Sequence, residues 1–171
     1  ENYSHKVAQI LLTRDVTDKE QMRTNAKNTF EMLFSLNAVP IVNENDTISV
    51  TELMFTDNDE LSGLLATMMQ AEALIILSNI DGIYDGDPNL PESKVITEIE
   101  PKRNLSKFIQ TGKSSFGRGG MLTKCNIARK VAEEGITVMI ANGKRDGILL
   151  DLIDKESQIK HTTFIANERE A

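Results

Sequence analysis

Three short stretches of this sequence gather side chains able to bind small polar molecules. Asn43-Glu44-Asn45-Asp46 places two carboxylates and two carboxamides directly after the apolar run Val39 to Val42. In open α/β sheets, ligands bind beyond the carboxyl ends of strands, so these side chains stand where a binding site is expected. The competing reading is a solvated Asx-rich turn. Asp57-Asn58-Asp59 precedes a helical pattern and poses the same choice, with one of the three expected to cap the helix. The third stretch, Ser115-Phe116-Gly117-Arg118-Gly119-Gly120-Met121-Leu122-Thr123-Lys124, is the strongest. Its glycines allow close backbone approach to a ligand, and the helix start that follows offers free amides and partial positive charge. That is phosphate-binding chemistry, with the Lys124 ammonium about one turn in. An ordinary glycine-rich loop with an exposed lysine is its plainer alternative.

Other motif-like spacings fail on inspection. Thr111-Gly112-Lys113-Ser114 imitates the end of a P-loop, but the required first glycine falls at Lys107. Asn79-Ile80-Asp81-Gly82 resembles the start of a calcium loop, yet Ile83 and Leu90 stand where ligands are needed. His5 and His161 have no neighbouring metal ligands and read as surface or satisfied histidines, and no metal site is expected. Cys125 reads as a small packing residue, with a reactive thiolate beside Lys124 as the minority alternative.

The elements that must position these residues are visible as alternating patterns. Val7 to Leu12, Val39 to Val42, Leu74 to Leu77 and Thr137 to Ala141 are apolar runs of strand length, separated by segments of helical spacing. A capping-box pair, Thr17 and Glu20, announces a first helix carrying Met22, Phe30, Leu33 and Phe34 and ending near Asn37. A second helix is expected from about Asp59 to Ala71, and a third from about Gly119 to Gly135 with Met121, Ile127, Ala128 and Val131 on its apolar side. Thr47 to Phe55 suggests a hairpin arm, and Asp81 to Ser93 a long loop. The alternation implies an α/β fold, a mostly parallel sheet with helices on its faces, and residues 1–171 read as a single domain without repeats.

Composition bounds the function. The 171 residues carry 19 Lys+Arg against 26 Asp+Glu, a net charge of −7, which excludes a broad polybasic surface for nucleic acid or anionic membrane. An anionic ligand therefore requires a local cationic pocket. One cysteine permits no internal disulfide, and no apolar stretch approaches the ~20 residues of a membrane span. With no secretory-signal pattern at the start, a cytoplasmic location is expected, and the Asn-x-Ser/Thr triplets at Asn2, Asn45 and Asn104 read as chance matches.

Taken in order, Pro40-Ile41-Val42-Asn43-Glu44-Asn45-Asp46, Asp57-Asn58-Asp59-Glu60-Leu61-Ser62, Gly82-Ile83-Tyr84 with Asp87-Pro88, and Gly119-Gly120-Met121-Leu122-Thr123-Lys124 closely resemble the glutamate 5-kinases of the amino acid kinase family. The likeness runs from Val7 to about Phe164. It implies a three-layer α/β/α sandwich of the carbamate-kinase-like type and transfer of the γ-phosphoryl of ATP, with Mg2+, to the side-chain carboxylate of L-glutamate, the opening step of proline biosynthesis. It implies Lys124 and Asp57 as catalytic residues, Lys124 stabilising the transferred charge and Asp57 orienting cations. Asn43, Asp46, Asn58 and Asp59 become the substrate pocket, Asp46 facing the substrate ammonium. Ser78, Asn79, Arg118, Gly119, Gly120, Met121, Leu122, Thr123 and Lys124 become the nucleotide side, with the Asp81 to Pro88 loop beside them.

The sequence departs from the family pattern in two places. Ser78-Asn79 stands where relatives often have Thr-Asp, and the family's lysine with its glycine-serine turn after the first strand has no counterpart. The chain is thus expected to be the C-terminal two-thirds of a kinase domain, inactive alone, without the family's frequent C-terminal RNA-modification-like domain. A homo-oligomer is expected for the parent enzyme. Kinases acting on acetylglutamate or aspartate are the nearest rivals, disfavoured because an acetylated amine needs no carboxylate partner. A nucleotide- or amino-acid-sensing module without catalysis is the rival from another class, and the lysine at the phosphate speaks against it.

Overall fold

Each of the four apolar runs forms a strand, within a residue or two of its expected ends. The computed structural model describes residues 4–46, 55, 57–100, 120–154 and 156–168, which divide into two units, Glu1–Met69 and Gln70–Ala171. The architecture is α/β with mostly parallel pairing, as expected: of the four strand pairs described, one is antiparallel.

The first unit contains β1 (Lys6–Leu12), α1 (Asp15–Asp18), α2 (Glu20–Ser35), β2 (Ala38–Glu44) and α3 (Asn58–Met68). β1 and β2 are parallel, in register from Lys6 opposite Ala38 to Leu12 opposite Glu44. One face of the pair carries Ile10, Leu12 and Val42 into a core with Val16, Ala26, Phe30, Phe55, Leu61 and Met68. Full burial of such side chains contributes about 1.5–3 kcal/mol each. The alternate residues Val7, Leu11, Val39 and Ile41 are exposed. The expected capping box does not form. Thr17 lies inside α1, where its hydroxyl donates to the Arg14 carbonyl (2.7 Å) and also lies 2.7 Å from Asp18 Oδ1. The cap of α2 is Lys19, whose extended backbone (φ −117°, ψ 110°) interrupts the two helices without a side-chain bond. Of the apolar positions read into α2, Phe30 is buried and Leu33 half-buried, while Met22 and Phe34 are exposed. Asn37 takes the left-handed conformation (φ 52°) that closes α2, where expected. Residues 47–54 of the expected hairpin arm lie outside the described residues.

The second unit contains β3 (Ala73–Ser78), β4 (Glu98–Ile99), α4 (Gly120–Glu133), β5 (Thr137–Asn142), α5 (Ile148–Ile153) and β6 (Thr162–Phe164). Its sheet runs β3-β5-β6-β4, with β5 and β6 antiparallel. β5 is buried on both sides, which is why its sequence is a continuous apolar run rather than an alternation. Ala141 packs with Ile148 and Leu152 of α5, and α4 packs on β5 and β6. The buried side of α4 is Cys125, Ala128, Val131 and Ala132. Residues 81–93 form the expected loop, pinned by a bridge between Tyr84 and Val95. Among the described residues, no helix is long and apolar enough to cross a membrane.

Candidate functional site

In the first unit the polar residues cluster at the carboxyl ends of β1 and β2 and at the start of α3. Asn43 and Asp46 are exposed at the end of β2. Glu44 turns inward and accepts a hydrogen bond from the Phe55 amide (3.0 Å), tying the Asn43–Asp46 cluster to the residues just before α3. Asp57 is the N-cap of α3, its Oδ1 accepting from the Glu60 amide (3.0 Å). That bond satisfies one of the free amides of the first turn and commits one carboxylate oxygen to the fold. Asn58 is exposed and Asp59 half-buried in the same turn, the Asp59 carbonyl accepting from Ser62 Oγ (2.8 Å). Arg14, just past β1, pairs with Glu60 of this turn (3.2 Å). The structure thus brings the expected substrate-side residues Asn43, Asp46, Asn58 and Asp59 and the expected catalytic residue Asp57 into one region of the first unit and adds a cation, Arg14.

In the second unit a polar cluster sits at the carboxyl ends of β3 and β5. Ser78 lies opposite Asn142, its carbonyl accepts from the Gly143 amide (2.8 Å), and its hydroxyl is 3.4 Å from Asn79 Oδ1. Asp81 is the centre. Its Oδ1 accepts from Asn142 Nδ2 (3.0 Å) and Arg145 Nε (3.0 Å), and its Oδ2 from Arg145 Nη2 (2.7 Å). The guanidinium, followed in effect by the opposing cost of burial and the bond from Asn142, leaves the Asp81 carboxyl below the usual range. Tyr84, nearby, has its phenol pushed up by burial and then by the Asp81 charge.

Gly120 opens α4, and nothing among the described residues lies within 4 Å of where a Cβ would stand. Met121, Thr123 and Lys124 are half-buried in that first turn and Leu122 is exposed. Arg118 and Gly119 lie outside the described residues. Cys125 is buried and its thiol pushed up to about 12 by burial, which fits the packing role and not the thiolate alternative. His161 donates from Nδ1 to the Ile159 carbonyl (2.8 Å), a locally satisfied histidine. Among the described residues no group of three His, Cys, Asp or Glu side chains could hold a metal ion.

Against known proteins, a family model described as "Amino acid kinase family" matches residues 1–142. The chain belongs to the amino acid kinase family. Among similar relatives, the glutamate 5-kinase of Bacteroides thetaiotaomicron is 62% identical over 159 residues, covering 93% of this chain and 44% of that protein. The glutamate 5-kinase of Chlorobaculum tepidum is 55% identical over 147 residues, covering 83% and 39%. The chain therefore spans less than half the length of either relative. Among solved structures, the carbamate kinase of Giardia lamblia bound to AMP-PNP superposes with a TM-score of 0.58 at 19% identity, covering 82% of this chain and 49% of that one. That likeness establishes the amino acid kinase fold for the arrangement of strands and helices described above.

Within this kinase fold, four polar residues went unread in the sequence: Arg14, Asp81 in its paired role, Asn142 and Arg145. Arg14 follows the first apolar run, and Asn142 with Arg145 follows the last, just as Asn43 to Asp46 follows the second. The same strand-end rule, applied to every run, points to all of them.

Proposed function

We propose that the protein carrying this chain is a glutamate 5-kinase, transferring the γ-phosphoryl of ATP to the side-chain carboxylate of L-glutamate to give γ-glutamyl phosphate for proline biosynthesis. The observation that carries this reading is the division of polar chemistry between the two units. The first has an acidic and carboxamide cluster suited to a zwitterionic amino acid, and the second a helix start and lysine suited to phosphate. The identity to two glutamate 5-kinases supports the choice of acceptor.

In this reading Asp46 accepts from the substrate ammonium, and Asn43, Asn58 and Asp59 supply the remaining hydrogen bonds to glutamate. Phosphoryl transfer depends on alignment and on charge around the moving oxygens more than on covalent help. Lys124 supplies that charge, most valuable as the bond to the leaving phosphate stretches, and the amides at Gly119 and Gly120 add fixed dipoles. Met121, Leu122, Thr123 and Arg118 border the nucleotide, with Ser78 and Asn79 at its other side. Asp57, held by its cap bond, orients the cations of the site through its second oxygen. Mg2+ arriving with the nucleotide would supply neutralisation of phosphate charge. The chain is read as part of one kinase domain, supported by the family match crossing both units. A homo-oligomeric cytoplasmic enzyme, where ATP and glutamate are both available, completes the proposal.

The test is ADP release by the purified full-length protein carrying this chain, with ATP and Mg2+, comparing glutamate, acetylglutamate, aspartate and no acceptor, with hydroxylamine added to trap the acyl phosphate as a hydroxamate. Glutamate alone should stimulate release and yield hydroxamate. Equal rates with and without glutamate, in a protein that melts cooperatively, refute the assignment.

A further inference from the structure

The end of β3 is joined to the end of β5 twice over. The parallel ladder closes with the Gly143 amide donating to the Ser78 carbonyl (2.8 Å), which already secures the sheet. Beyond it, Asp81 reaches across to Asn142 and Arg145, residues 61 and 64 positions away in sequence. This second link adds little that the ladder needs. What it fixes is the turn itself. Residues 78 to 83 are anchored at one end by the ladder and at the other by the Ile83 amide, which donates to Thr162 Oγ1 (2.8 Å). Between these anchors Asp81 ties the turn to a distant element, and both of its oxygens are used.

We infer that Arg145 is a positioning residue for the nucleotide: clamped in a fork on Asp81, it sets the shape of the Ser78 to Ile83 turn that presents Ser78 and Asn79 to ATP. The inference rests on the kinase reading for the identity of the ligand. The geometry requires arginine. A guanidinium meets both carboxylate oxygens at once in a planar pair, whereas an ammonium is a point charge that can satisfy one direction at a time. Asp81 is largely shielded, with 15% of its side chain exposed, and Arg145 remains 42% exposed. Replacing Arg145 therefore removes an orienting contact without opening a core cavity. Its guanidinium also holds the Asp81 carboxyl below its ordinary range, so the clamp stays ionised throughout the neutral range.

The experiment compares wild type, Arg145→Lys and Arg145→Gln in the protein carrying this chain. It measures KM for ATP, KM for glutamate, kcat and Tm, together with direct binding of the fluorescent analogue TNP-ATP. Both variants should raise KM for ATP and weaken TNP-ATP binding about 10-fold, with KM for glutamate and kcat within about twofold and Tm within a few degrees. Lysine should restore little, because charge without the fork does not fix the turn. ATP parameters within twofold of wild type in Arg145→Gln overturn the inference, as does a parallel rise of both KM values with a collapsed Tm, which marks a merely structural residue. A wild type that binds TNP-ATP but shows no glutamate-dependent turnover overturns the glutamate reading. The inference then stands if Arg145→Gln weakens TNP-ATP binding and falls if it does not.

Discussion

Thr162→Val tests whether the second unit is held by a buried hydroxyl or by packing alone. The Thr162 side chain is fully buried, donating from Oγ1 to the Ile96 carbonyl (2.7 Å) and accepting from the Ile83 amide (2.8 Å). Valine has nearly the same shape, so no cavity opens, but two backbone groups in buried residues lose their partner at once. Each orphaned group costs about 1–3 kcal/mol, and the methyl that replaces the hydroxyl returns about 0.8 kcal/mol of apolar burial. The net expectation is a loss of about 1–5 kcal/mol. For a chain of this size that is a fall in Tm of about 2–20 °C. Thr162→Ser keeps both bonds and loses a methyl, so it should cost only about 1 kcal/mol. Hydrophobic burial alone predicts a different order, with valine above threonine rather than last. Urea unfolding of the three proteins decides the matter, provided the slopes agree. Stability of Thr162→Val within 1 kcal/mol of wild type would refute the argument and show that the turn finds other partners. The neighbouring Gly82 gives an independent check, since a Cβ there would stand 2.5 Å from Thr162 Oγ1 and 3.0 Å from the Thr162 amide nitrogen.

Four further outcomes are expected. Lys124→Ala should lower kcat about 10²-fold or more while leaving KM for glutamate nearly unchanged, because its charge matters most in the transition state; steady-state kinetics within threefold of wild type would exclude it from that role. Asp57→Ser retains a capping oxygen and should hold stability within about 0.5 kcal/mol, against about 1 kcal/mol lost in Asp57→Ala, yet turnover should drop at least about 10-fold if the carboxylate charge is needed. Cys125 should react with a disulfide reagent at pH 8 on the order of 10³-fold more slowly in the native protein than in urea, given a thiol pushed up to about 12; a fast native reaction would contradict its burial. The Asp81 carboxyl is lowered in the folded state, so its stabilising effect is fully present above its ordinary value of 3.8 and is lost as pH falls through the folded value. Asp81→Asn should accordingly flatten the acid limb of the Tm profile, and an unchanged limb would show that the Arg145 pair does not contribute there.

The strands and long helices were legible because burial imprints itself on local spacing. Val7 to Leu12 or Thr137 to Ala141 can be read without knowing what they pack against. Elements too short to show a period were not: β4 has two residues, β6 three, and α5 six, with Leu149, Leu150 and Ile153 exposed so that no apolar stripe stands out. Thr17 and Glu20 have capping-box spacing, but the Thr17 hydroxyl bonds backward to Arg14, and the Lys19 break places the helix cap two residues later than the pattern suggests. A local signature failed there against a local competitor.

The partly missed site has a different cause. Asp57 was recognisable as a cap candidate because its partner, the Glu60 amide, is three residues away. For Asp81 the sequence offers only a loop beside the nucleotide side and no partner, since Arg145 is 64 residues away and no spacing rule encodes that pairing. Yet the Asp81 pairing obeys a topological constraint. Parallel strands deliver all their carboxyl ends to the same edge, so the residues just past β3 and β5 are neighbours in space whatever their distance in sequence. The same holds for β1 and β2, where Asn45 past the second strand donates its amide to the Leu12 carbonyl at the end of the first (2.7 Å). Polar residues following different apolar runs must therefore be read together once a parallel sheet is inferred. Reading them so puts Arg14 with Asn43 to Asp46, and Asp81 with Asn142 and Arg145, from sequence order alone.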